Sequence, residues 1–398
     1  MRRISRPDLT TGAGTGYNDS MMAFPTLTLD TPALLLAPMQ GLTDAPMRAF
    51  QAESGAFTFA VSEFLRVSSE IPPPKVFRRH VPELQEGART RNGLPVQVQL
   101  LGGDAGRMAE AALAACAAGA QAIDINFGCP APTVNRHDGG ATLLKHPRRI
   151  REIVRAVRDA LPAGVPVSAK LRLGWDSSDV VLENADMAAE GGAAWVTIHG
   201  RTRAQGYTPP AYWGPIGAVR ARLPIPVVAN GDIWTVADLR RCREETGCLH
   251  FMLGRGALAD PRLPCAAARD LGLAPGGPDA GEDGPFDWLP PLRRLVALTE
   301  ALDGRLTPQM PCRLKQWLNI AQRRGTFDAF EAVKRAPSLE ALFVALASVP
   351  ELRHRDRLRG GEAEQGRAGG RRAGGPAAAE GAFLADAVND EAASPLAA

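Results

Sequence analysis

The feature that most constrains this chain is a regular alternation of short apolar runs and helix-like segments between residues 33 and 258. Eight runs have the length and the β-branched content of buried strands. They are residues 33–39, 57–64, 96–102, 122–128, 166–174, 195–200, 225–232 and 250–258. Amphipathic helix patterns lie between them at residues 104–119, 146–162 and 235–247. This order predicts an α/β fold, a TIM (β/α)8 barrel. A doubly wound open sheet is the alternative, but no GxGxxG motif follows the first run.

The rest of the chain divides by composition. A polar segment without periodicity predicts a flexible N-terminal extension, and a Gly/Pro/Asp-rich stretch predicts a linker. Beyond the linker, four helical patterns predict a small all-α helical-bundle domain, and a final segment poor in apolar residues predicts a disordered tail. The predicted boundaries are 1–30 for the extension, 31–273 for the barrel, 274–285 for the linker, 286–350 for the helical domain and 351–398 for the tail.

Composition and charge exclude several classes of protein. The net charge of +3 over 398 residues is too small for a polycation, and no apolar run is long enough for a transmembrane helix. The first residues contain no apolar segment of the kind found in secretory signals. The six cysteines form no CxxC pair and no Cys/His cluster, so we expect reduced thiols, no metal site and a cytoplasmic location.

The basic residues are mostly arginines. Of 46 Lys and Arg residues only five are lysines, namely Lys75, Lys145, Lys170, Lys315 and Lys334. A GC-rich codon bias explains such a skew without any function, yet it makes each remaining lysine a candidate for a position that needs one. The positive excess is concentrated in residues 286–350, which carry nine Lys or Arg against six Asp or Glu.

Polar residues interrupt the apolar runs near the end of every predicted strand. In a TIM barrel the active site lies at the carboxyl ends of the strands, so these residues are expected to converge. Any one of them could instead be a hydrogen-bonded polar group of the core. The set comprises Met39, Gln40, Glu63, Gln99, Asp124, Asn126, Cys129, Lys170, Arg172, His199, Asn230, Asp232, Gly254 and Arg255.

The last two strands are followed by turns that suit a phosphate group. Residues 229–233 read ANGDI and residues 253–258 read LGRGAL, where glycine allows close backbone approach and Arg255 adds donors. Barrels commonly bind phosphate at this position. The alternative is that two glycine turns simply close the barrel.

Two further side chains have more than one interpretation. Cys129 lies between Gly128 and Pro130 just after a strand. It is a buried filler, a general acid, or a nucleophile if His137 lies near it. Lys170 lies in an otherwise apolar strand. Such a lysine needs an anionic partner or a lowered pKa, which fits either a Schiff base or a counter-charge to an anionic cofactor ring.

The segments GRTRAQGY (200–207), VANGDIW (228–234) and RLKQWL (313–318) are most similar to the branch of the tRNA-dihydrouridine synthases that acts on uridine 16. Seven motifs resemble this family over residues 33–340, in the same order. They are LAPMQGLTDAPMR (36–48), QVQLLG (97–102), DINFGCPAPTVNRHDGGATLLKHP (124–147), SAKLRLGW (168–175), IHGRTRAQGY (198–207), ANGDI (229–233) and LGRGAL (253–258). The resemblance implies an FMN-binding TIM barrel followed by a helical tRNA-binding domain.

The resemblance also implies roles for individual residues. Cys129 would donate a proton to the target base, and Lys170 would offset the negative charge of the reduced flavin, which removes the Schiff-base interpretation. The flavin contacts would be Pro38, Met39, Gln40, Gln99, Lys170, His199, Asn230, Gly231, Asp232, Gly254 and Arg255. The tRNA contacts would be Arg66, Asn126, Tyr207, Arg313, Lys315, Ile320 and Lys334. Ile320 replaces an aromatic residue expected at its position, and Gln40 replaces a more common Glu.

The implied reaction is the reduction of the C5=C6 bond of a D-loop uridine in tRNA by NADPH through FMN. Hydride reaches C6 while Cys129 protonates C5, and the uridine must first leave the base stack. We expect a monomeric enzyme without a metal or a membrane partner. Two alternatives remain open, namely another FMN-dependent TIM-barrel oxidoreductase acting on a small pyrimidine, and a non-catalytic RNA-binding barrel.

Overall fold

A computed structural model describes residues 23–136, 138–276 and 286–349 of the chain. Eight parallel strands pair in sequence order and close into a barrel, which confirms the TIM-barrel prediction. The strands are β1 (Ala33–Leu36), β2 (Phe59–Arg66), β3 (Val96–Leu101), β4 (Ile123–Asn126), β5 (Val167–Arg172), β6 (Trp195–His199), β7 (Val227–Asn230) and β8 (His250–Leu253). Each strand begins within two residues of the start of a predicted run.

Helices connect the strands and cover the outside of the barrel. Those of the barrel are α1 (Ala45–Ala52), α2 (Pro74–His80), α3 (Ala105–Ala118), α4 (Pro132–Asn135), α5 (Pro147–Ala160), α6 (Val181–Glu190), α7 (Gly214–Arg222), α8 (Val236–Thr246), α9 (Arg255–Ala259) and α10 (Leu263–Asp270). The three predicted helices correspond to α3, α5 and α8. Their ends follow from local chemistry, because Asp104 and Thr235 cap α3 and α8, and Gly119 and Gly247 end them in left-handed conformations.

Strand alternation separates the core from the site. In β5, Val167, Ala169 and Leu171 pack outward against the helices. The intervening Ser168 and Lys170 point inward, where their side chains hydrogen-bond to residues of other strands. Because successive side chains of a strand alternate between its two faces, the same pattern holds around the barrel and gathers the polar residues inside it.

The amino end of the barrel interior is filled with apolar side chains. Phe24 stacks on Phe59 at 5.0 Å between ring centroids, and Phe59 lies 5.7 Å from Trp195. Leu27 is buried in the same cluster. The segment predicted as a flexible extension therefore packs onto the barrel from residue 24, while residues 1–22 lie outside the described residues. With this end filled, the polar interior opens only toward the carboxyl ends of the strands.

The helical region after the barrel consists of α11 (Leu289–Asp303), α12 (Met310–Gln322), α13 (Phe330–Val333) and α14 (Leu339–Ala347). It shares an apolar cluster with α1 and α9, in which Trp317 donates from Nε1 to the carbonyl of Leu258 at 2.8 Å. Trp288 packs edge-on against Trp317 at 5.6 Å. The predicted helical region is thus present, whereas most of the predicted linker and the predicted tail lie outside the described residues. No helix in the described ranges is long and apolar enough to span a membrane.

Candidate active site

A hydrogen-bonded network lies on the inward faces of β3, β4 and β5. Gln99 donates from Nε2 to Asp124 Oδ2 at 2.7 Å, and Asn126 donates from Nδ2 to Gln99 Oε1 at 2.9 Å. Ser168 donates to the other oxygen of Asp124 at 2.5 Å. Burial raises the pKa of Asp124, and these hydrogen bonds oppose the rise. The network holds the amides of Gln99 and Asn126 in one orientation before any ligand binds.

Lys170 extends into the mouth of the barrel next to this network. Its ammonium donates to Asn230 Oδ1 at 3.2 Å, and Asn230 donates in turn to the carbonyl of Met252 at 2.8 Å. Burial lowers the pKa of Lys170 to about 8, and Arg172 adds to the effect. The direct partner of the ammonium is therefore a neutral amide, which leaves its charge available to an anionic group.

A second cluster of charges lies at the ends of β6 and β7. His199 Nε2 is 3.2 Å from Arg201 Nη1, and Arg201 forms an ion pair with Asp232. Arg255 approaches the same carboxylate at 3.6 Å. Burial and the neighbouring arginines hold the pKa of His199 well below its usual value, so its imidazole is neutral.

The mouth of the barrel contains more buried positive than negative charges. Among the described residues, Lys170, Arg172, Arg201 and Arg255 face two carboxylates, Asp124 and Asp232. Uncompensated buried charge is costly, so this arrangement favours binding of an anion. The polar residues of the strand ends do converge, as the barrel topology predicts. Sequence reasoning gave no role to Arg201, because it follows the strand rather than interrupting an apolar run.

The turns after β7 and β8 each contain a glycine where a side chain would crowd its neighbours. Gly231 has φ +119°, and a Cβ atom there would lie 2.8 Å from the ring of His199. A Cβ at Gly254 would lie 3.3 Å from Met39 Sδ. The helix α9 starts at Arg255, and the first N–H groups of a helix have no intrahelical partner. These turns fit the predicted phosphate site.

The turn after β1 supplies another wall of the mouth. Thr43 holds it, since the backbone N–H of Met39 donates to Thr43 Oγ1 at 2.7 Å. Pro38 and Met39 are half-buried, and Gln40 is exposed. The backbone N–H of Gly41 donates to the buried carboxylate of Glu63. Burial and nearby Asp44 raise the pKa of Glu63 to about 7, so this carboxyl is partly protonated near neutrality.

Cys129 lies in the loop that follows β4. Its carbonyl accepts from the N–H of Ala141 at 3.1 Å, and Arg172 donates from Nε to the adjacent Gly128 carbonyl at 2.7 Å. Burial raises the pKa of the Cys129 thiol, although the charges of Arg172 and Arg66 oppose this. A thiol with a raised pKa is protonated at neutral pH, which favours a proton donor over a nucleophile. His137 lies outside the described residues.

Three residues predicted to contact tRNA lie at the same mouth. Arg66 is exposed at the end of β2, and Asn126 belongs to the network described above. The ring of Tyr207 is 41% exposed and is flanked by Arg172 at 5.3 Å and Arg255 at 5.1 Å. Arg66 is also close enough to Cys129 for its charge to act on the pKa of that thiol.

The other four predicted tRNA contacts lie on the helical region and are engaged within the protein. Arg313 donates both terminal nitrogens to the carboxylate of Asp44. Lys315 donates to the carbonyl of Ala336 at 3.1 Å, and Lys334 forms an ion pair with Glu331. Ile320 packs partly buried beside the apolar cluster of α11–α14. No group of three or more His, Cys, Asp or Glu side chains in the described ranges is arranged to hold a metal ion.

Comparison with known proteins gives a consistent result. The family model described as dihydrouridine synthase (Dus) matches residues 35–270. The chain is 46% identical over 293 residues to a tRNA-dihydrouridine(16) synthase of Pseudomonas putida, covering 73% of this chain and 88% of that protein. It is 43% identical to the protein of the same name from Shewanella oneidensis, over 73% of this chain and 89% of that one.

A third relative matches over a longer stretch. The tRNA-dihydrouridine(16) synthase of Aquipseudomonas alcaligenes is 41% identical over 320 residues, covering 80% of this chain and 99% of the relative. Among solved structures, morphinone reductase in complex with tetrahydroNAD matches with a TM-score of 0.42 at 15% identity, over 65% of this chain and 92% of that chain, a likeness too distant to bear on function. On the sequence matches, the chain belongs to the dihydrouridine synthase family.

Proposed function

We propose that this protein is a flavin-dependent tRNA-dihydrouridine synthase that reduces the C5=C6 bond of uridine 16 in the D-loop of tRNA. One observation carries the proposal. A cluster of cations around Lys170, which favours an anionic ligand, lies at the same barrel mouth as the protonated thiol of Cys129. The names of the relatives at 41–46% identity support the choice of position 16.

The residues present fit FMN. Lys170 offers a positive charge to a ring that becomes anionic on reduction, and the oriented amide of Gln99 offers a second polar contact. Gly231, Gly254 and Arg255 offer backbone room and donors for the phosphate, with Asn230, Asp232 and His199 beside them. Pro38, Met39 and Gln40 would line one face of the ring. When bound, FMN supplies hydride for C6 of the uracil, taken in our proposal from NADPH.

Cys129 is proposed as the proton donor to C5. Addition of hydride at C6 leaves negative charge at C5, which must be met by a proton in the same site. The raised pKa of the thiol keeps that proton available at neutral pH, and the positive charges of Arg172 and Arg66 stabilise the thiolate that remains. Because Arg172 also holds the carbonyl of Gly128, it fixes the loop that carries the thiol.

Recognition of tRNA is proposed to use both the barrel mouth and the helical region. Tyr207 is exposed beside the space that the flipped uracil would enter, and a tyrosine ring can stack on a base. Arg66 stands at the end of β2 and Asn126 at the end of β4. Arg313, Lys315, Ile320 and Lys334 are proposed to orient the tRNA, which requires the basic side chains among them to exchange their present partners. We also propose that the enzyme acts as a cytoplasmic monomer.

The proposal is tested with purified protein, a tRNA transcript carrying uridine at position 16, and NADPH. We expect a yellow protein with flavin absorbance that forms dihydrouridine at position 16, mapped by reverse-transcription stops after alkaline cleavage. A transcript with cytidine at position 16 should accumulate none. Dihydrouridine at another position would contradict the site choice, and reduction of free uridine or uracil at the same rate would favour a small-pyrimidine oxidoreductase. NADH in place of NADPH tests the preferred reductant.

A further inference from the structure

The indole of Trp175 holds two positive charges at the rim of the barrel mouth. Lys145 Nζ lies 3.8 Å from the ring centroid, and Arg203 Cζ lies 4.5 Å from it. The three residues come from three successive loops, those after β4, β5 and β6. Backbone hydrogen bonds from Arg203 to Gly174 and from Ala204 to Trp175, both at 2.8 Å, hold two of these loops together. The stack is therefore part of an ordered rim.

Neither charge is paired with a carboxylate in the part of the chain that the structure describes. Among the described residues no Asp or Glu oxygen lies within ion-pair distance of Lys145 or Arg203. Lys145 is exposed, and Arg203 Nε is buried without a hydrogen-bond partner in the described part of the chain. Nearby basic residues differ, since Arg149 pairs with Asp138 at 2.7 Å and Arg151 with Glu190 at 3.2 Å. The two positive charges next to one ring repel each other, and a bound anion would reduce that repulsion.

The position of the stack indicates which anion. Lys145 ends the short 3-10 helix Gly140–Lys145, and the Cys129 carbonyl accepts a hydrogen bond from the N–H of Ala141 in that helix. The helical region packs on α1 and α9, which follow β1 and β8. In a closed barrel β5 lies opposite β1. The stack and the helical region thus flank the mouth from opposite sides, and a macromolecule bound over Cys129 would meet both.

We propose that Lys145 and Arg203, positioned by Trp175, form a phosphate-binding site for the tRNA backbone on the side of the mouth opposite the helical region. The proposal rests on the proposed function, since a polynucleotide is the anion that the reaction brings to this rim. Contact with the indole face holds both cationic side chains at the rim without neutralising their charge.

The test measures tRNA binding to the holoenzyme as a function of salt concentration. Each phosphate contact removed should lower the slope of log K against log salt by about one. We expect Lys145→Gln and Arg203→Gln to lower the slope and to raise KM for tRNA roughly two- to five-fold, with kcat unchanged. Arg220→Gln is the matched control, because Arg220 is an exposed cation at the end of α7 on the amino side of the barrel. It should leave the slope unchanged.

Trp175 is a positioning residue. Its variants distinguish a loss of orientation of Lys145 and Arg203 from a loss of folding. Trp175→Phe keeps an aromatic face and should retain the wild-type slope, whereas Trp175→Leu should lower it as the two charge variants do. Lys145→Gln and Arg203→Gln variants that retain the wild-type slope would overturn the proposal. So would a fall in kcat at saturating tRNA with KM unchanged, which would make the stack a clamp on the Cys129 loop. A wild-type protein that neither binds tRNA nor forms dihydrouridine would instead contradict the proposed function.

Discussion

The residues predicted to act on the flavin and those predicted to bind tRNA from the helical region differ in how the structure uses them. On the barrel, Gln99, Lys170 and Asn230 come from three different strands and face one space. On the helices, Arg313 and Lys315 point at partners within the protein. The difference follows from geometry, because the register of a closed sheet determines which side chains share a layer, whereas the partner of a helix surface depends on what packs beside it.

The two regions also differ in how firmly their charges are held. The carboxylate of Asp124 is buried and bonded to Ser168 and Gln99. Lys315, in contrast, is bonded to a main-chain carbonyl near the surface, and such a bond is readily exchanged for water or phosphate. We infer that the barrel mouth is preorganised for chemistry while the helical region adapts to the tRNA. The predictions below test that contrast.

The largest effect is expected from Cys129→Ser. A serine hydroxyl is a much weaker acid than the thiol, so dihydrouridine formation should fall about 10²- to 10⁴-fold while FMN content and tRNA affinity stay unchanged. Single-turnover measurements with prereduced enzyme isolate this step. Cys312→Ser is the control, since Cys312 is an exposed thiol on α12 outside the mouth. Activity close to wild type in Cys129→Ser would rule out the thiol as the proton donor.

Lys170→Met should weaken flavin binding about 10- to 100-fold, the range for loss of a hydrogen bond to a charged group. Because the pKa of Lys170 is about 8 in the folded protein, its charge is lost as pH rises through 8. Flavin affinity of the wild type should therefore fall above pH 8, and that of Lys170→Met should not. Fluorescence titration with FMN between pH 6.5 and 9.5 measures both. Parallel pH profiles for the two proteins would show that Lys170 does not carry the effect.

The same shift has a consequence for stability. The unfolded lysine titrates near its ordinary pKa of 10.5, so between pH 8 and 10.5 the unfolded chain binds more protons than the flavin-free folded protein. The contribution of Lys170 to the free energy of unfolding therefore becomes more favourable as pH rises through this window. Urea unfolding of wild type and Lys170→Met across that range reports the difference.

Arg313→Met tests the first of the helical contacts. Because Arg313 donates twice to Asp44, its loss should lower the free energy of unfolding by about 1.5–3 kcal/mol. Asp44→Asn should show strong coupling to it in a double-mutant cycle. Arg323→Gln, an exposed neighbour, is the control and should change stability by less than about 0.5 kcal/mol. Unchanged stability in Arg313→Met would contradict a structural role for this ion pair, while weaker tRNA binding would support the proposed exchange of Asp44 for tRNA.

The sequence predicted the barrel well because its signals are local. The apolar runs that predict the strands and the amphipathic patterns that predict the helices each depend on residues a few positions apart. The pairs that join distant segments could not be predicted this way. Asp44 and Arg313 are separated by 269 positions, and no pattern around either residue identifies the other. The stack on Trp175 could not be predicted for the same reason, because Lys145 contacts the ring only after three loops have folded.

The smallest effect is expected from Lys315→Gln. Within the described ranges its ammonium donates only to the carbonyls of Ala336 and Lys334, so the free energy of unfolding should change by less than about 0.5 kcal/mol. If it contacts tRNA, KM should rise up to about five-fold with kcat unchanged, and Lys315→Arg should restore it. Because Lys315 and Lys145 lie on opposite sides of the mouth, their effects on binding free energy should add. If the double variant binds tRNA no more weakly than either single variant, the two sides do not contact the same tRNA molecule. A loss of stability in Lys315→Gln as large as that in Arg313→Met would show that Lys315 has a structural role.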